Sequence, residues 1–203
     1  MNITHSPRTQ NALVIRPAVV EDAPFIAVNV LAAIDLHKFE DPLPESLRPT
    51  LKSLSEICAK DDTLYSWNNT IIAEVGGVPA GSLTSYDGAR YRDMRKLTFG
   101  FLLKENGMNL ENEEMETKSG EYYLDSLAIL PEFRGQGIGR QLILNAMDIA
   151  RKLGITTVSL IVSEEKPRLK DYYNSIGFVQ SGKINFYGHD SVRMVMSFSN
   201  GIY

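Results

Sequence analysis

The stretch Leu130-Pro-Glu-Phe-Arg-Gly-Gln-Gly-Ile-Gly-Arg140 decides the fold, because it sets three alternating glycines between a predicted strand and a predicted helix. Glycine has no Cβ, so this backbone can turn tightly and point several N–H groups into one hollow. The first N–H groups of the following helix lack partners within it and add the positive end of its dipole. Arg134 and Arg140 supply further positive charge. We therefore predict a cradle for a phosphate group.

Two familiar phosphate-binding motifs do not fit this stretch. A P-loop ends in Gly-Lys-Ser or Gly-Lys-Thr, whereas Gly139 is followed by Arg140 and Gln141. The dinucleotide-binding fingerprint needs a third glycine where Arg140 stands. A glycine-rich turn without a ligand is the remaining alternative. The flanking arginines and the long amphipathic helix that follows argue against it.

Outward from this stretch, the spacing of apolar residues predicts alternating strands and helices along the chain. Short β-branched or alternating runs are typical of strands, and apolar residues three and four apart are typical of helices. The predicted strands are 13–15, 70–75, 80–86, 122–130, 156–162, 178–187 and 191–198, and the predicted helices are 24–36, 47–58, 137–153 and 166–175. Because no linker or repeat interrupts them, we interpret 1–203 as a single α/β domain.

An insert at about 87–120, between the third and fourth predicted strands, is the least regular part of the sequence. Its first half has apolar residues three or four apart, which predicts a short helix. Its second half has little apolar content and carries Glu111, Glu113, Glu114 and Glu116. We interpret this second half as a mobile loop whose carboxylates face water.

Charge and composition exclude several classes of function. The chain has 21 Lys and Arg against 25 Asp and Glu, so its formal net charge is −4. Because nucleic acids and anionic membranes are bound by basic surfaces, we expect neither as a partner. Cys58 is the single cysteine, which excludes a disulfide within the chain and a multi-thiolate metal site. The sequence start lacks a secretory signal and no run could span a membrane, so we predict a cytoplasmic protein.

Three motifs in register resemble the GNAT N-acetyltransferases. Arg134-Gly-Gln-Gly-Ile-Gly139 is similar to that family's pyrophosphate-binding signature, Arg-x-x-Gly-x-Gly. Tyr123-Leu-Asp-Ser-Leu-Ala-Ile-Leu-Pro-Glu-Phe133 resembles its fourth strand and the turn that follows. Tyr172-Tyr-Asn-Ser-Ile-Gly-Phe178 resembles its Phe-Tyr-x-x-x-Gly-Phe element. Since Ile15-Arg-Pro17 and Glu21-Asp22 also fit its first strand and helix, the resemblance covers nearly the whole chain apart from the insert and a short N-terminal tail.

The resemblance implies an α/β fold with a mixed, mostly antiparallel sheet flanked by helices. In this family two central strands splay apart, and acyl-CoA binds in the cleft between them. The pantetheine arm then contacts the backbone of Leu127 and Ile129, the pyrophosphate lies on the glycine loop, and Arg134 shapes that loop. The residues that the resemblance assigns to acetyl-CoA are Leu127, Ala128, Ile129, Arg134, Gly135, Gln136, Gly137, Ile138, Gly139 and Arg140. We expect no metal, because the histidines lack metal-ligand spacing.

An acid and a base are needed for the reaction that the resemblance implies. Tyr173 occupies the family's general-acid position, where a phenol protonates the departing thiolate, although a core aromatic is the alternative for this residue. A base must deprotonate the acceptor, because an alkylamine with a pKa of about 10.4 is almost fully protonated at neutral pH. Asp125 on the fourth strand is our candidate, directly or through water. Glu121 and the glutamates of the insert are the alternatives.

The sequence departs from the family in two places. Lys166 stands where family members often carry an Asn that contacts the cofactor, so we assign no such contact. The insert precedes a strand that borders the cleft, which makes it a candidate for selecting the acceptor. If its glutamates do more than face water, they form a negative rim that attracts a cationic amine.

We therefore predict an N-acetyltransferase that moves an acetyl group from acetyl-CoA to a primary amine by direct attack in a ternary complex. The acceptor classes that fit are a polyamine, an aminoglycoside and a protein amine. Two alternatives share the same cradle: a non-catalytic acyl-CoA-binding regulatory module, and an acyltransferase for a longer acyl-CoA. The sequence leaves open the acceptor and the oligomeric state, a homodimer included.

Overall fold

The computed structural model describes residues 12–107, 109, 111–186 and 188–198. Within them, seven strands form one mixed sheet in the order β1-β2-β3-β4-β5-β7-β6. The strands are β1 (Leu13–Pro17), β2 (Thr70–Val75), β3 (Val78–Asp87), β4 (Glu121–Ile129), β5 (Thr157–Ser163), β6 (Val179–Phe186) and β7 (His189–Ser197). The α-helices are α1 (Ala23–Ala33), α2 (Arg48–Cys58), α3 (Tyr91–Asn106), α4 (Ile138–Lys152) and α5 (Pro167–Ile176). The interpretation of the N-terminal tail, and Tyr187 of the predicted strand 178–187, lie outside the described residues.

These elements confirm the predicted order of strands and helices, with two differences in extent. Helix α1 ends at Ala33 rather than near residue 36, because Asp35 adopts a left-handed conformation with φ of 60°. In the insert, the predicted short helix is the 16-residue α3. It ends at Gly107, which has φ of 69° and caps the helix.

The centre of the sheet opens between β4 and β5, as the resemblance implied. All other neighbouring strands pair antiparallel, whereas β4 and β5 are parallel and pair only over three residues, Glu121–Tyr123 with 157–159. The rest of β4, from Leu124 to Ile129, has no partner on β5. Its backbone N–H and carbonyl groups on that side can therefore hydrogen-bond to a group outside the sheet.

A β-bulge interrupts β4 where this opening begins. Ser85 pairs with Leu124 and Thr84 with Ser126, so Asp125 is the extra residue of the bulge. The bulge reverses the alternation of side chains, since Leu124 before it and Leu127 after it both pack on the same core. Bulges commonly redirect one side chain beside a functional site.

Two hydrophobic cores lie on opposite faces of the sheet. Helices α1, α2 and α3 pack one face, where Tyr86 and Tyr123 point into the core. Helices α4 and α5 pack the other face, where Leu142 of α4 and Phe178 are among the most buried side chains. Within the described residues, no helix is long and apolar enough to span a bilayer.

The second half of the insert is a largely exposed loop, as the sequence predicts, except at Glu116. Glu111 and Glu114 are exposed, but Glu116 is only 7% exposed and Thr117 is buried beside it. The prediction for Glu116 was wrong because the segment folds back onto the start of the insert. A Cβ added at Gly88 would lie 2.2 Å from the carbonyl oxygen of Lys118, so the two backbones touch there.

Candidate active site

The glycine loop joins β4 to α4 at the open end of the gap between β4 and β5. Gly135 and Gly137 have φ of 75° and 78°, a backbone conformation that other residues adopt only at a cost. Gly137 is the N-cap of α4, and residues 135–137 are exposed. The loop therefore presents unpaired backbone N–H groups and the positive end of the α4 dipole to solvent.

Gly139 allows α5 and β4 to pack closely against the first turn of α4, and its φ is not in the left-handed region. A Cβ at this position would lie 3.1 Å from the hydroxyl of Tyr172 on α5. It would also lie 3.9 Å from side-chain carbons of Leu127 and Ile129. The first turn of α4, the free part of β4 and α5 therefore meet at Gly139, while Ile138 beside it is buried in the core.

The two arginines of the loop differ in their surroundings. The Nε of Arg134 donates to the carbonyl of Ile129 over 3.0 Å, and its Nη1 donates to Glu40 over 2.6 Å. These contacts suit the loop-shaping role that the resemblance assigns to it. Arg140 is exposed in the first turn of α4, and its charge partly offsets the burial that raises the pKa of Tyr172. Gln136 donates its side-chain amide to the carbonyl of Glu132 over 3.2 Å.

The predicted pantetheine-binding part of β4 has one paired and one free edge. Residues 127–129 pair with 81–83 of β3, and the N–H of Leu130 donates to Ala80 over 2.9 Å. Because polar groups alternate along a strand, the N–H and carbonyl of Ile129 point to the opposite edge. The bond from Arg134 to the Ile129 carbonyl agrees with this direction. Ala128 is buried on the other face.

Tyr173 lies on α5, in the same hydrophobic core as Leu127 and Ile129 of β4. It is 8% exposed, and its ring contacts those of Tyr172 and Phe178 with centroid distances of 5.5 and 5.8 Å. Burial raises the pKa of its phenol well above the ordinary value, so the group keeps its proton at neutral pH. Tyr173 therefore packs as a core aromatic and also remains a proton donor, so both predicted roles are compatible with its position.

Asp125 projects toward the α1–α3 face, the face opposite Tyr173. The hydroxyl of Tyr86 donates to one carboxylate oxygen over 2.5 Å, and that of Ser126 donates to the other over 2.9 Å. Burial raises the pKa of the Asp125 carboxyl to about 6, although both hydrogen bonds lower it. A carboxyl that ionises near neutrality can accept a proton and later release it.

Glu121, the alternative base, is placed differently. It lies at the closed end of β4, where β4 still pairs with β5. Its carboxylate forms an ion pair with Arg193 of β7 and accepts the hydroxyl of Ser159 over 3.1 Å. These partners engage the carboxylate and tie the closed end of β4 to β5 and β7.

Lys166 and the histidines are the remaining residues that the sequence singled out. Lys166 precedes α5 and forms an ion pair with Asp35 from the segment after α1. His189 is exposed at the start of β7. In the described part of the chain, no group of three His, Cys, Asp or Glu side chains is arranged to hold a metal.

Sequence reasoning missed the cluster around Glu116. Its carboxylate accepts the hydroxyls of Tyr91 on α3 and Tyr123 on β4, over 2.8 and 2.6 Å. Buried tyrosine hydroxyls require a hydrogen-bond partner, and this requirement is the only feature of the sequence that points to a buried polar group here. The requirement does not identify Glu116 as the partner, because Glu116 lies 25 positions from Tyr91 along the chain.

Solved structures share this architecture over most of both chains. A crystal structure described as an acetyltransferase is 26% identical, with a TM-score of 0.72 over 91% of this chain and 98% of its own. The N-acetyltransferase from Staphylococcus aureus Mu50 is 24% identical, with a TM-score of 0.74 over 90% of this chain and 100% of its own. The fold is therefore common to this chain and these proteins.

A curated relative matches a shorter segment. The thialysine N-epsilon-acetyltransferase of Bos taurus is 33% identical over 60 residues, which are 30% of this chain and 35% of the relative. The chain thus spans about a third of the length of the curated relative it matches.

A sequence model described as the acetyltransferase (GNAT) family matches residues 32–178. This segment is more than half of the chain and runs from the last turn of α1 to just beyond α5. It includes the free edge of β4, the glycine loop and the tyrosine pair on α5. The chain belongs to the acetyltransferase (GNAT) family, whose members are acyl-transferring enzymes.

Proposed function

We propose that this chain is an acetyl-CoA-dependent N-acetyltransferase that acts on a primary amine. The observation that carries the proposal is the position of the glycine loop at the open end of the gap between β4 and β5. A phosphate-binding loop beside a free strand edge suits a cosubstrate with an anionic end and a long amide-containing arm.

The residues around the gap fit coenzyme A at both of its ends. The exposed loop at Gly135 and Gly137 and the first turn of α4 offer N–H donors to the pyrophosphate, and Arg140 adds charge. The unpaired edge of β4 at Leu127, together with the N–H of Ile129, offers partners for the amides of the pantetheine arm, while the Ile129 carbonyl already accepts Arg134. Acetyl-CoA supplies a thioester, whose acyl carbon an amine attacks.

The acceptor reaches that carbon from the face of the sheet that carries α1, α2 and α3. The loop and α4 occupy the other face, so the donor fills the gap from there. Asp125 points to the acceptor's side through its bond with Tyr86. Bringing the two reactants together from opposite faces aligns them for direct attack, which is the main source of rate in such a transfer.

Two side chains move the protons of the reaction. The Asp125 carboxylate takes one proton from the acceptor ammonium, which leaves an electron pair on the nitrogen for attack. As the new C–N bond forms and the C–S bond breaks, Tyr173 gives its phenol proton to the sulfur. The second nitrogen proton returns the phenol to its neutral form directly or through solvent. The products are an amide, free CoA and one proton passed to solvent from Asp125.

A cationic acceptor fits the carboxylates of β4 and of the insert. Asp125 is half-buried, and Glu111 and Glu114 are exposed on the insert. Negative groups raise the local concentration of cations and hold an ammonium beside the base. The bovine relative is named for acetylating thialysine at its ε-amine, which is a primary amine as well. We infer that the acceptor carries a primary ammonium, as polyamines, aminoglycosides and lysine side chains do.

A thiol-release assay tests this function. The chain is incubated with acetyl-CoA and a panel of polyamines, aminoglycosides, amino acids and lysine peptides, and free CoA is measured. We expect amine-dependent release of CoA and an acetylated amine in the mixture. Tight acetyl-CoA binding with no turnover would favour a regulatory acyl-CoA-binding module. Turnover only with longer acyl-CoA would favour the other alternative, and failure to bind any acyl-CoA would contradict the proposal.

A further inference from the structure

The insert contributes a buried carboxylate that the proposed reaction does not use. Glu116 is 7% exposed, and each of its oxygens accepts one tyrosine hydroxyl, from Tyr91 and Tyr123. Taking an ionised carboxylate out of water costs several kcal/mol, roughly, unless it is paired or takes up a proton. A purely solvated loop would not incur this cost, so the burial of Glu116 needs an explanation.

Glu116 and Asp125 stand at two ends of one aromatic cluster. The ring of Tyr86 lies 6.2 Å from that of Tyr91 and 5.8 Å from that of Tyr123, measured between centroids. The phenol of Tyr86 donates to Asp125, whereas the other two phenols donate to Glu116. The position of Asp125 therefore depends on packing that Glu116 holds together.

The pKa of both carboxyl groups is raised in the folded chain. Burial and the nearby Asp125 raise the pKa of Glu116 to about 8, against smaller opposing effects of the Tyr123 and Tyr91 hydrogen bonds and of the Arg95 charge. Burial raises the pKa of Asp125 to about 6. The other groups that face the pair are Tyr86 and Ser126. Both carboxyl groups are therefore harder to ionise in the folded chain than in the unfolded chain.

We propose that Glu116, buried in the tyrosine cluster, is a positioning residue for deprotonation of the acceptor: it accepts the hydroxyls of Tyr91 and Tyr123 and so clamps the cluster that holds Asp125. This inference rests on the proposed function. In the step it serves, an N–H bond of the acceptor ammonium breaks, the proton goes to an Asp125 oxygen, and the electron pair stays on nitrogen. Glu116 does not touch the acceptor.

The burial of Glu116 is tested without turnover, by urea unfolding across a pH series. A carboxyl whose pKa is raised by folding stabilises the folded chain at low pH and loses that contribution as pH rises through the raised pKa. We expect the wild-type unfolding midpoint to fall as pH rises from about 6 to about 8 and to level off above that, because over this range Glu116 is ionised only in the unfolded chain. Glu116→Gln, which resembles the protonated side chain, removes this fall, and Glu114→Gln at an exposed position keeps it. An unchanged fall in Glu116→Gln would overturn the inference.

The positioning role is tested by the pH profile of kcat/KM with the acceptor found above. Glu116→Gln keeps the acidic limb near pH 6 and a kcat close to the wild type. Glu116→Ala admits water, moves the limb to lower pH and lowers kcat by about tenfold or more, because the base is displaced. If Glu116→Ala keeps the wild-type limb and kcat, or Glu116→Gln shifts the limb as Ala does, the role of Glu116 fails while the proposed function stands. A wild-type chain that acetylates no amine overturns both.

Discussion

The hydroxyl of Tyr172 lies against the backbone of Gly139, so close that a Cβ on Gly139 would come within 3.1 Å of it. The adjacent Tyr173 instead packs its ring into the core against Phe178. Two neighbouring tyrosines on α5 thus have separate tasks. Tyr172 packs against the start of α4 at the glycine loop, and the buried Tyr173 is the proton donor of the proposed transfer.

Tyr173→Phe should lower kcat by about a hundredfold or more, because a general acid contributes roughly that factor or more. The affinity for acetyl-CoA should stay unchanged, since the ring and its packing are retained. Steady-state kinetics and calorimetric titration with acetyl-CoA measure the two effects. Tyr172→Phe is the matched control and should retain most of kcat. Equal losses in both variants would contradict a special role for the Tyr173 phenol.

Gly137→Ala should weaken acetyl-CoA binding beyond what backbone strain explains. Both Gly137 and Gly154 have a positive φ, at 78° and 75°, and a Cβ would meet nothing within 4 Å at either. Alanine in this conformation costs about 1–2 kcal/mol, so both variants should lose similar unfolding free energy. Only Gly137→Ala should lose affinity for acetyl-CoA in a binding titration. The account would be contradicted if Gly154→Ala, after the last helical turn of α4, lost as much.

Arg140→Gln should weaken acetyl-CoA binding and reduce its dependence on salt. Arg140 is exposed at the start of α4, so its removal takes away charge without disturbing the core. The unfolding free energy should change by less than about 0.5 kcal/mol. Lys152→Gln in the last turn of the same helix is the control, and its binding should keep the wild-type salt dependence. Titrations at low and high salt would count against the account if both variants behaved alike.

The rate should rise with pH through about pH 6. Asp125 must be ionised to take a proton, and burial sets its pKa at about this value, so protonation below it removes the base. kcat/KM measured over a pH series should therefore show an acidic limb there. Asp125→Asn keeps an acceptor for the Tyr86 hydroxyl but cannot take the proton, so it should lose the limb and most of kcat. An active Asp125→Asn with the same limb would place the base elsewhere.

Local patterns were enough to predict the succession of strands and helices along the chain and the glycine loop. The loop was predictable because its glycines, arginines and flanking elements are neighbours in sequence, and backbone geometry follows directly from them. The extra residue at Asp125 was not, because a bulge exists only relative to the register of β3. Glu116 was misjudged for a similar reason. Its sequence neighbours are polar, and its burial comes from Tyr91 and Tyr123, which lie far from it along the chain.

The central claim is that an acetyl group passes from acetyl-CoA to an amine nitrogen in this site. The most direct measurement uses acetyl-CoA labelled in its acetyl group, with the best amine from the panel, and mass spectrometry of the products. The account predicts the label on the acceptor as an amide, at a rate that falls sharply in Tyr173→Phe and in Asp125→Asn. Label recovered only as free acetate, or an amide formed equally fast by both variants, would contradict it.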